Sequence, residues 1–449
     1  MVMSDQLPEG WVWTTLDEIG EFLRGVSYNK GDATEQPKDG LVPILRATNI
    51  QDENLILDRD LVYVPFKYVK PGQYLKPGDI VVCMSSGSKH LVGKTAILAQ
   101  EWTGSFGTFC AVIRPKQTIN ARFLGYYFSS PDYRQFIREK SAGININNLK
   151  PSDFGSLDIP LPPRPEQERI VAKIEALFSQ LDAGVAALRR IQAALKRYKA
   201  SVLKAACEGR LVAQDPADEP AEAQLRRLGK SPLVDDDLPA LPEGWCWVRV
   251  GDIGADEKYA IVDGPFGSML KVSDYVNDGD IPVISISNID NGFEKEQVRY
   301  ITHKKFETIK RSAVHPGDIL VAKIGSSYGK VGYYPDWMPV GVIPANLLKI
   351  SVHKVVNKSY IFYYLQSANF KKHLDGITKS TAQPAFNVSM FRELPLPFAP
   401  IPEQQRIVAE VERRLSVATE VEAVVAALLA RSARLRQAIL KQAFEGKLI

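Results

Sequence analysis

Residues 165–211 read PEQERIVAKIEALFSQLDAGVAALRRIQAALKRYKASVLKAACEGRL, and residues 402–448 read PEQQRIVAEVERRLSVATEVEAVVAALLARSARLRQAILKQAFEGKL. Each opens on Pro-Glu-Gln, which puts proline in the first turn and an acid at the positive end of the helix dipole. Apolar positions then follow a 4,3,4,3 spacing. In the first stretch they are Ile170, Ile174, Leu177, Leu181, Gly184, Leu188, Ile191, Leu195, Tyr198 and Val202. In the second they are Ile407, Val411, Arg414, Ala418, Val421, Val425, Leu428, Ser432, Leu435 and Ile439. A 3.5-residue period held this long predicts a coiled-coil seam, with Gly184, Arg414 and Ser432 read as small, specific layers. At about 1.5 Å per residue, about 44 helical residues predict a rod of roughly 65 Å. Matched length and register disfavour the blander alternative, two amphipathic helices packed on separate cores.

The two stretches are the tails of a longer repeat. Leu7-Pro-Glu-Gly-Trp11 recurs as Leu241-Pro-Glu-Gly-Trp245, each followed by a second tryptophan, Trp13 and Trp247. Pro43-Ile-Leu-Arg-Ala-Thr-Asn-Ile50 aligns with Pro282-Val-Ile-Ser-Ile-Ser-Asn-Ile289, Pro77-Gly-Asp-Ile80 with Pro316-Gly-Asp-Ile319, and Gly93-Lys94 with Gly329-Lys330. Phe123–Phe128 matches Tyr360–Leu365, and Glu208-Gly-Arg-Leu211 matches Glu445-Gly-Lys-Leu448. The order is preserved and the repeat unit is half the chain, so this is a pseudo-dimer in one polypeptide and not a solenoid.

Ahead of each long helix lies a mixed α/β module. Ile80–Met84 and Ile319–Ala322 follow Pro-Gly-Asp turns and read as strands; Asn120–Ser129 and Ser359–Ser367 read as short helices. The boundaries are a first module at 1–160, a first long helix at 161–212, an acidic linker at 213–240, a second module at 241–397 and a second long helix at 398–449. The fold class is α+β: mixed α/β modules in tandem duplication, with two long helices forming an antiparallel coiled coil. Antiparallel pairing places the modules at opposite ends of the rod. It also brings Ile449 near the start of the first module and Val212 near the start of the second. Two related modules at fixed separation suit duplex DNA, which repeats about every 34 Å.

Composition constrains the function from outside. The chain has 449 residues, 45% of them hydrophobic and 24% charged, which excludes bulk disorder. No apolar run approaches the roughly 18 residues of a membrane span, and the opening residues lack the pattern of a signal peptide, so a cytoplasmic setting is expected. Net charge is +4. Residues 213–240 carry seven acids against three bases, 3 − 7 = −4, which leaves +8 on the remainder and permits a polyanion partner. Four cysteines far apart, with no Cys-x-x-Cys, argue against a disulfide framework or zinc knuckle.

Candidate catalytic sites fail one by one. Gly87–Thr95 resembles a phosphate-binding loop but has five residues between its glycines where four are needed, and the second copy has Val331 in place of the hydroxyl. Pro162-Pro163 lies between Leu161 and Arg164, not in the Asn/Asp-Pro-Pro-aromatic setting of an adenine methyltransferase. Neither Pro131-Asp132 nor Pro335-Asp336 has the spaced Glu/Asp-x-Lys of a metal-dependent nuclease. His90, His303, His315, His353 and His373 show no metal-ligand spacing. The reading is a binding subunit, with no catalytic residues, metal ligands or cofactor of its own.

Leu161–Val171, Pro397–Val408, the two Glu-Gly-Arg/Lys-Leu helix ends and the two Leu-Pro-Glu-Gly-Trp module starts resemble the DNA specificity subunits of type I restriction–modification systems. The resemblance covers nearly the whole chain. It implies two target recognition domains, each reading half of a bipartite duplex site. It also implies helices that set the spacer and dock two modification (methyltransferase) subunits, with a restriction subunit able to join. S-adenosylmethionine for adenine methylation and ATP with Mg for restriction then belong to partners. The competing readings are a coiled-coil assembly scaffold without direct DNA readout, and a self-sufficient nuclease or methyltransferase.

Phosphate contacts call for Lys and Arg, and base contacts for side chains that reach groove edges. Three groups of candidates emerge. After the first module's strand come Ser86, Ser88, Lys89, His90 and Lys94, matched by Lys323, Ser326, Ser327, Tyr328 and Lys330. Arg46 and Asn49 are matched by Ser285 and Asn288. Before the long helices stand Asn145, Asn147 and Lys150, against Lys379, Gln383 and Asn387. Asn49 and Asn288, kept in both copies, also fit a structural role closing a turn, and that role is preferred for them. Trp11, Trp13, Trp245 and Trp247 are read as module core.

Overall fold

The computed structural model describes residues 7–51, 53–86, 91–140, 147–155, 157–289, 298–378 and 384–449. The chain divides into two units: one holds residues up to Arg189 together with Val425–Ile449, the other Arg190–Val424.

The same sheet is built in each unit. In the first, strands Gly20–Arg24, Cys110–Pro115, Ile80–Cys83 and Thr95–Ile97 lie side by side in that order, all antiparallel. In the second, Ile261–Asp263, Leu347–Ile350, Ile319–Ala322 and Val331–Tyr333 repeat the order. The strand after each Pro-Gly-Asp turn is central, and every one of its residues is buried, because both faces are covered. A second sheet packs beside each. It contains a parallel pair, Ser105–Phe106 with Leu41–Leu45 in the first unit and Val283 with Val342 in the second. The helices predicted after these sheets run Ala121–Tyr127 and Lys358–Leu365, capped by Asn120 and Asn357; the second starts one residue earlier than its sequence suggests.

The repeated motifs fasten each module to its long helix. Strand Val12–Thr15 pairs with Asp158–Leu161, and Cys246–Arg249 with Pro395–Phe398, bringing the two ends of each module together. Trp11 Nε1 donates to Glu166 Oε1 at 3.0 Å, and Trp245 Nε1 to Glu403 Oε2 at 2.9 Å. Gln167 Oε1 accepts the Asn120 N–H at 2.8 Å while its Nε2 donates to Pro162 O; Gln404 repeats this with Asn357 and Ala399. The Pro-Glu-Gln tripeptide is thus a clamp as well as a helix start, and Trp11 and Trp245 are buried under it.

Both long helices have 44 residues, Arg164–Cys207 and Ile401–Phe444. In the first unit, Ile170, Ile174 and Phe178 share a core with Ile439, Leu440, Ala443 and Phe444. There Arg436 bonds Asp182 at 2.7 Å and lies over the Phe178 ring at 4.0 Å. In the second unit, Val202, Leu203, Ala206 and Cys207 join Ile407, Val408 and Val411, and Lys199 meets Glu422 at 2.5 Å. The early turns of one helix meet the late turns of the other in both units, so the pairing is antiparallel. The seam is less uniform than its heptads imply: Ile191, Tyr198, Val421, Leu428 and Leu435, expected in it, are 38–48% exposed. Its ends belong to the module cores, and Gly184 forms no tight layer: a Cβ there would meet nothing within 4 Å.

Each long helix ends in a Schellman motif. Gly209 and Gly446 take φ of +64° and +67°, and the amides of Arg210 and Lys447 return to Ala205 O and Gln442 O. Gly446 abuts Pro8 and Gly209 abuts Pro242, so within each unit a helix end meets a module start, as expected for Ile449 and Val212.

Residues 213–240 are more than a tether. The helix Ala221–Arg227 buries Ala221 and Leu225 in the second unit's core. Close by, Glu403 is 1% exposed and its Oε1 has no hydrogen-bond partner among the described residues; burial pushes its carboxyl pKa up. An acid whose pKa is raised by folding loses stability as pH climbs from the ordinary carboxylate value through the raised one. Glu403→Gln is therefore expected to raise the second unit's melting temperature at pH 7–8, by roughly 2–4 °C per kcal/mol recovered. The gain should vanish near pH 4, where Glu403 is itself protonated. Thermal melts at both pH values check it, and an equal effect at both would be inconsistent with this cause.

Candidate nucleic-acid interface

The loop that leaves each central strand meets the loop that precedes the long helix. In the first unit, Ser85–Ser86 pairs antiparallel with Asn147–Asn148, and the Leu149 N–H donates to Met84 O at 2.9 Å. In the second, Ile324 bridges Ala385. Two of the three candidate groups are thereby brought together at the same strand end in both copies. Ser88, Lys89, His90, Asn145, Lys379 and Gln383 lie outside the described residues. Asn147 is located by its strand pairing and Ser326 by the turn Gly325–Ser327, which also holds half-buried Ser327. Ser86 is half-buried, while Lys94 and Lys150 are exposed beside the paired loops.

Several candidates serve the fold instead. Asn49 is 0% exposed: its Oδ1 accepts the Arg46 N–H at 2.8 Å and its Nδ2 donates to Ile56 O and Arg59 O. Asn288 is equally buried and accepts the Ser285 N–H at 2.8 Å and the Ser285 hydroxyl at 2.6 Å. These amides hold turns and are withdrawn as base contacts, and the Ser285 hydroxyl goes with them. Arg46 is half-buried with its guanidinium on Asp60 O at 2.9 and 3.1 Å, which ties it to its own loop. Lys323 is buried against Asp263 at 2.5 Å, an ion pair that takes it out of reach of a phosphate. Tyr328 is buried and donates to Leu374 O at 2.8 Å. Asn387 caps the helix Val388–Arg392 by accepting the Met390 N–H. Lys330 is half-buried beside Gly329.

The glycine before Lys94 is explained by packing. Gly93 has φ +77°, and a Cβ there would sit 2.6 Å from the Ile137 side chain; Gly329, φ +78°, faces Leu374 in the same way. This close approach, and not a phosphate cradle, is what the Gly-Lys pair encodes. It seats the helix Pro131–Lys140 against the loop, and with it Arg134 and Arg138, exposed one turn apart. Both arginines line a cavity of about 680 Å³ together with Lys94 and Arg436, opposed by Glu53 and Asp182. The matching helix Ala368–Gly376 carries Lys371, whose Nζ lies 4.4 Å over the Tyr328 ring. These helical cations were not singled out from the sequence, where i,i+4 arginines on a short helix read as an ordinary solvated face.

Burial pushes the Cys83 and Cys246 thiols up to about 11 and Cys207 up to about 12, so all three stay protonated near neutrality. Burial also lowers the His373 pKa. Among the described residues no three His, Cys, Asp or Glu side chains stand together to hold a metal ion, and no helix is long and apolar enough to cross a membrane.

The profile of the type I restriction modification DNA specificity domain matches twice, at residues 8–193 and 242–422. The chain belongs to this family. The specificity subunit of the type I restriction enzyme EcoKI of Escherichia coli K12 is 30% identical over 453 residues, covering 99% of this chain and 90% of that protein. The StySPI specificity subunit of Salmonella potsdam is also 30% identical, with the same coverage. Among solved structures, a chain from a study of complex assembly and conformational transition in a type I restriction–modification system superposes with a TM-score of 0.68 at 19% identity, covering 98% of this chain and 99% of that one. The HsdS subunit of Thermoanaerobacter tengcongensis gives 0.54, also at 19% identity, with 99% of both chains covered. The two profile matches each span one module and run on into its long helix, so the specificity-domain repeat is the repeat read from the sequence.

Proposed function

We propose that this chain is the non-catalytic DNA sequence-specificity subunit of a cytoplasmic type I restriction–modification complex. The modules at 1–160 and 241–397 act as target recognition domains, each binding one half of a bipartite duplex site. One observation carries the reading: four-stranded sheets of the same strand order present chemically different groups at equivalent loop ends, Ser85-Ser86 in one unit and Ile324-Gly325 in the other. Two readers of one architecture but different chemistry suit an asymmetric split site.

The helical regions 161–212 and 398–449 set the spacer and dock two modification subunits. In the second unit, Ile191, Tyr198, Val417 and Val424 are 42–58% exposed. In the first, Leu428 and Leu435 are 40% and 48% exposed. Apolar side chains bare on a polar helix suit a protein partner. The modification subunits bring S-adenosylmethionine and methylate adenine; a restriction subunit that joins brings ATP and Mg.

Methylome sequencing of DNA modified by this chain with its cognate modification subunit tests the reading. A split, adenine-containing motif is expected; a continuous motif, or none, contradicts it. Within the first unit, Lys94, Arg134 and Arg138 are the phosphate-contacting cations. Replacing all three with alanine should weaken binding equally across sequences and flatten the log–log salt slope by about 2–3. An unchanged slope, measured by duplex titration from about 50 to 200 mM salt, removes them from the interface.

A further inference from the structure

The linker packs against the second unit. There its Ala221 N–H donates to Gly244 O at 2.8 Å and its Leu233 N–H to Trp247 O at 2.7 Å. Its Gln224 Oε1 takes the Ile401 N–H at 2.9 Å, its Asp218 holds Arg406 at 2.5 Å, and its Ala221 and Leu225 are fully buried. The surface beneath has a residue-by-residue counterpart in the first unit. Gly10 stands for Gly244, Val12 and Trp13 for Cys246 and Trp247, Arg164 for Ile401, and Arg169 for Arg406.

That counterpart surface is bare among the described residues. Val12 is 57% exposed and Trp13 40%, correcting the core assignment made for Trp13 from sequence. Arg169 is exposed, and neither its guanidinium nor the Arg164 N–H meets an acceptor among the described residues. The donor, the cation and the sheet-edge strand that the linker satisfies in one unit are thus all present in the other.

We infer that this face of the first unit docks a segment of a partner polypeptide built like residues 213–234. The segment brings an acid for Arg169 and a short amphipathic helix with alanine and leucine turned inward. It also brings an amide oxygen for the Arg164 N–H and an extended stretch that adds to the strand edge at Trp13. A second copy of this chain does not supply it, because its own linker has Ala221 and Leu225 locked in a core. The inference does not depend on how DNA is read.

A synthetic peptide of residues 213–234 is the probe, titrated against the full chain by fluorescence anisotropy, with hydrogen exchange locating it. Saturable one-to-one binding is expected, with new protection confined to residues 10–15 and 164–170. Val12→Asp, at an exposed position that leaves the fold intact by circular dichroism, should weaken binding at least tenfold, and so should Arg169→Glu. A peptide carrying Asp218→Arg should bind the Arg169→Glu chain better than the native chain. Absence of saturable binding overturns the inference, as does indifference to both substitutions. Binding that appears only after deletion of residues 2–6 makes those residues the occupant and overturns it as well. So does self-association of the free chain that Val12→Asp abolishes.

Discussion

Replacing Arg114 with methionine should destabilise the first unit by about 3–5 kcal/mol, the cost of leaving a buried carboxylate without its partner. Asp79 is 1% exposed, and Arg114 grips it with two bonds, Nε to Oδ1 at 2.8 Å and a terminal nitrogen to Oδ2 at 2.7 Å. The same guanidinium donates to Tyr74 O at 2.8 Å and Gly72 O at 3.3 Å. Asp79 in turn accepts the Lys76 N–H and so closes the Pro-Gly-Asp turn that launches the central strand. Removing the cation strands a charge at the base of the strand whose far end carries Ser85 and Ser86. Loss of the first module's half of the DNA site should therefore accompany the loss of stability. The second unit solves the problem differently: Asp318 takes the Ser351 hydroxyl at 2.6 Å and Lys349 Nζ at 3.5 Å. Its exchange rates should stay unchanged. Unit-resolved hydrogen exchange of the full chain is the measurement. Adding Asp79→Asn to Arg114→Met keeps the turn acceptor while deleting the charge, and should recover a large part of the loss. If the single substitution costs under about 1 kcal/mol, the pair is not the determinant that its burial implies.

The architecture was legible because its determinants are periodic or repeated. A heptad pattern 44 residues long and two copies of Pro-Glu-Gln leave few alternatives, and both helices run to the residues where Glu-Gly-Arg/Lys-Leu stops them. The interface was legible only at the level of loops. An asparagine in a turn serves base recognition and turn closure by the same amide chemistry, so residue type alone does not decide for Asn49; its recurrence as Asn288 favours turn closure, and its bonds to Ile56 O and Arg59 O are of that kind. Lys323 reads as a surface cation until Asp263, sixty residues away, is seen to neutralise it. Arg134 and Arg138 fail in the opposite sense. They look like solvent-facing helix residues, and only the packing of Ile137 under Gly93 brings them beside Lys94. Positions set by local chain chemistry come through from sequence; those set by a distant partner do not.

Gly446→Ala should destabilise the first unit by about 2–4 kcal/mol, from two separable causes. Its φ of +67° costs a side-chain-bearing residue roughly 1–2 kcal/mol, and a Cβ there would stand 2.2 Å from Pro8 Cγ. Gly229 supplies the comparison: its φ is +70°, yet a Cβ would meet nothing within 4 Å. Gly229→Ala therefore carries the backbone cost alone. Asparagine tolerates the left-handed conformation, so Gly229→Asn should be close to neutral while Gly446→Asn keeps the clash with Pro8. If Gly446→Asn proves as mild as Gly229→Asn, the helix end does not press on the module start and the closure of this unit at Pro8 is wrong. Gly184→Ala sets the opposite sign, since its open surroundings predict a gain of up to about 1 kcal/mol from helix propensity. A loss in the free chain would mean that the surroundings of Gly184 are not open. Because the mid-helix apolar side chains are where modification subunits are proposed to dock, Gly184→Ala should be measured both free and assembled. A gain in the free chain that turns into weaker assembly would locate that docking surface at Gly184.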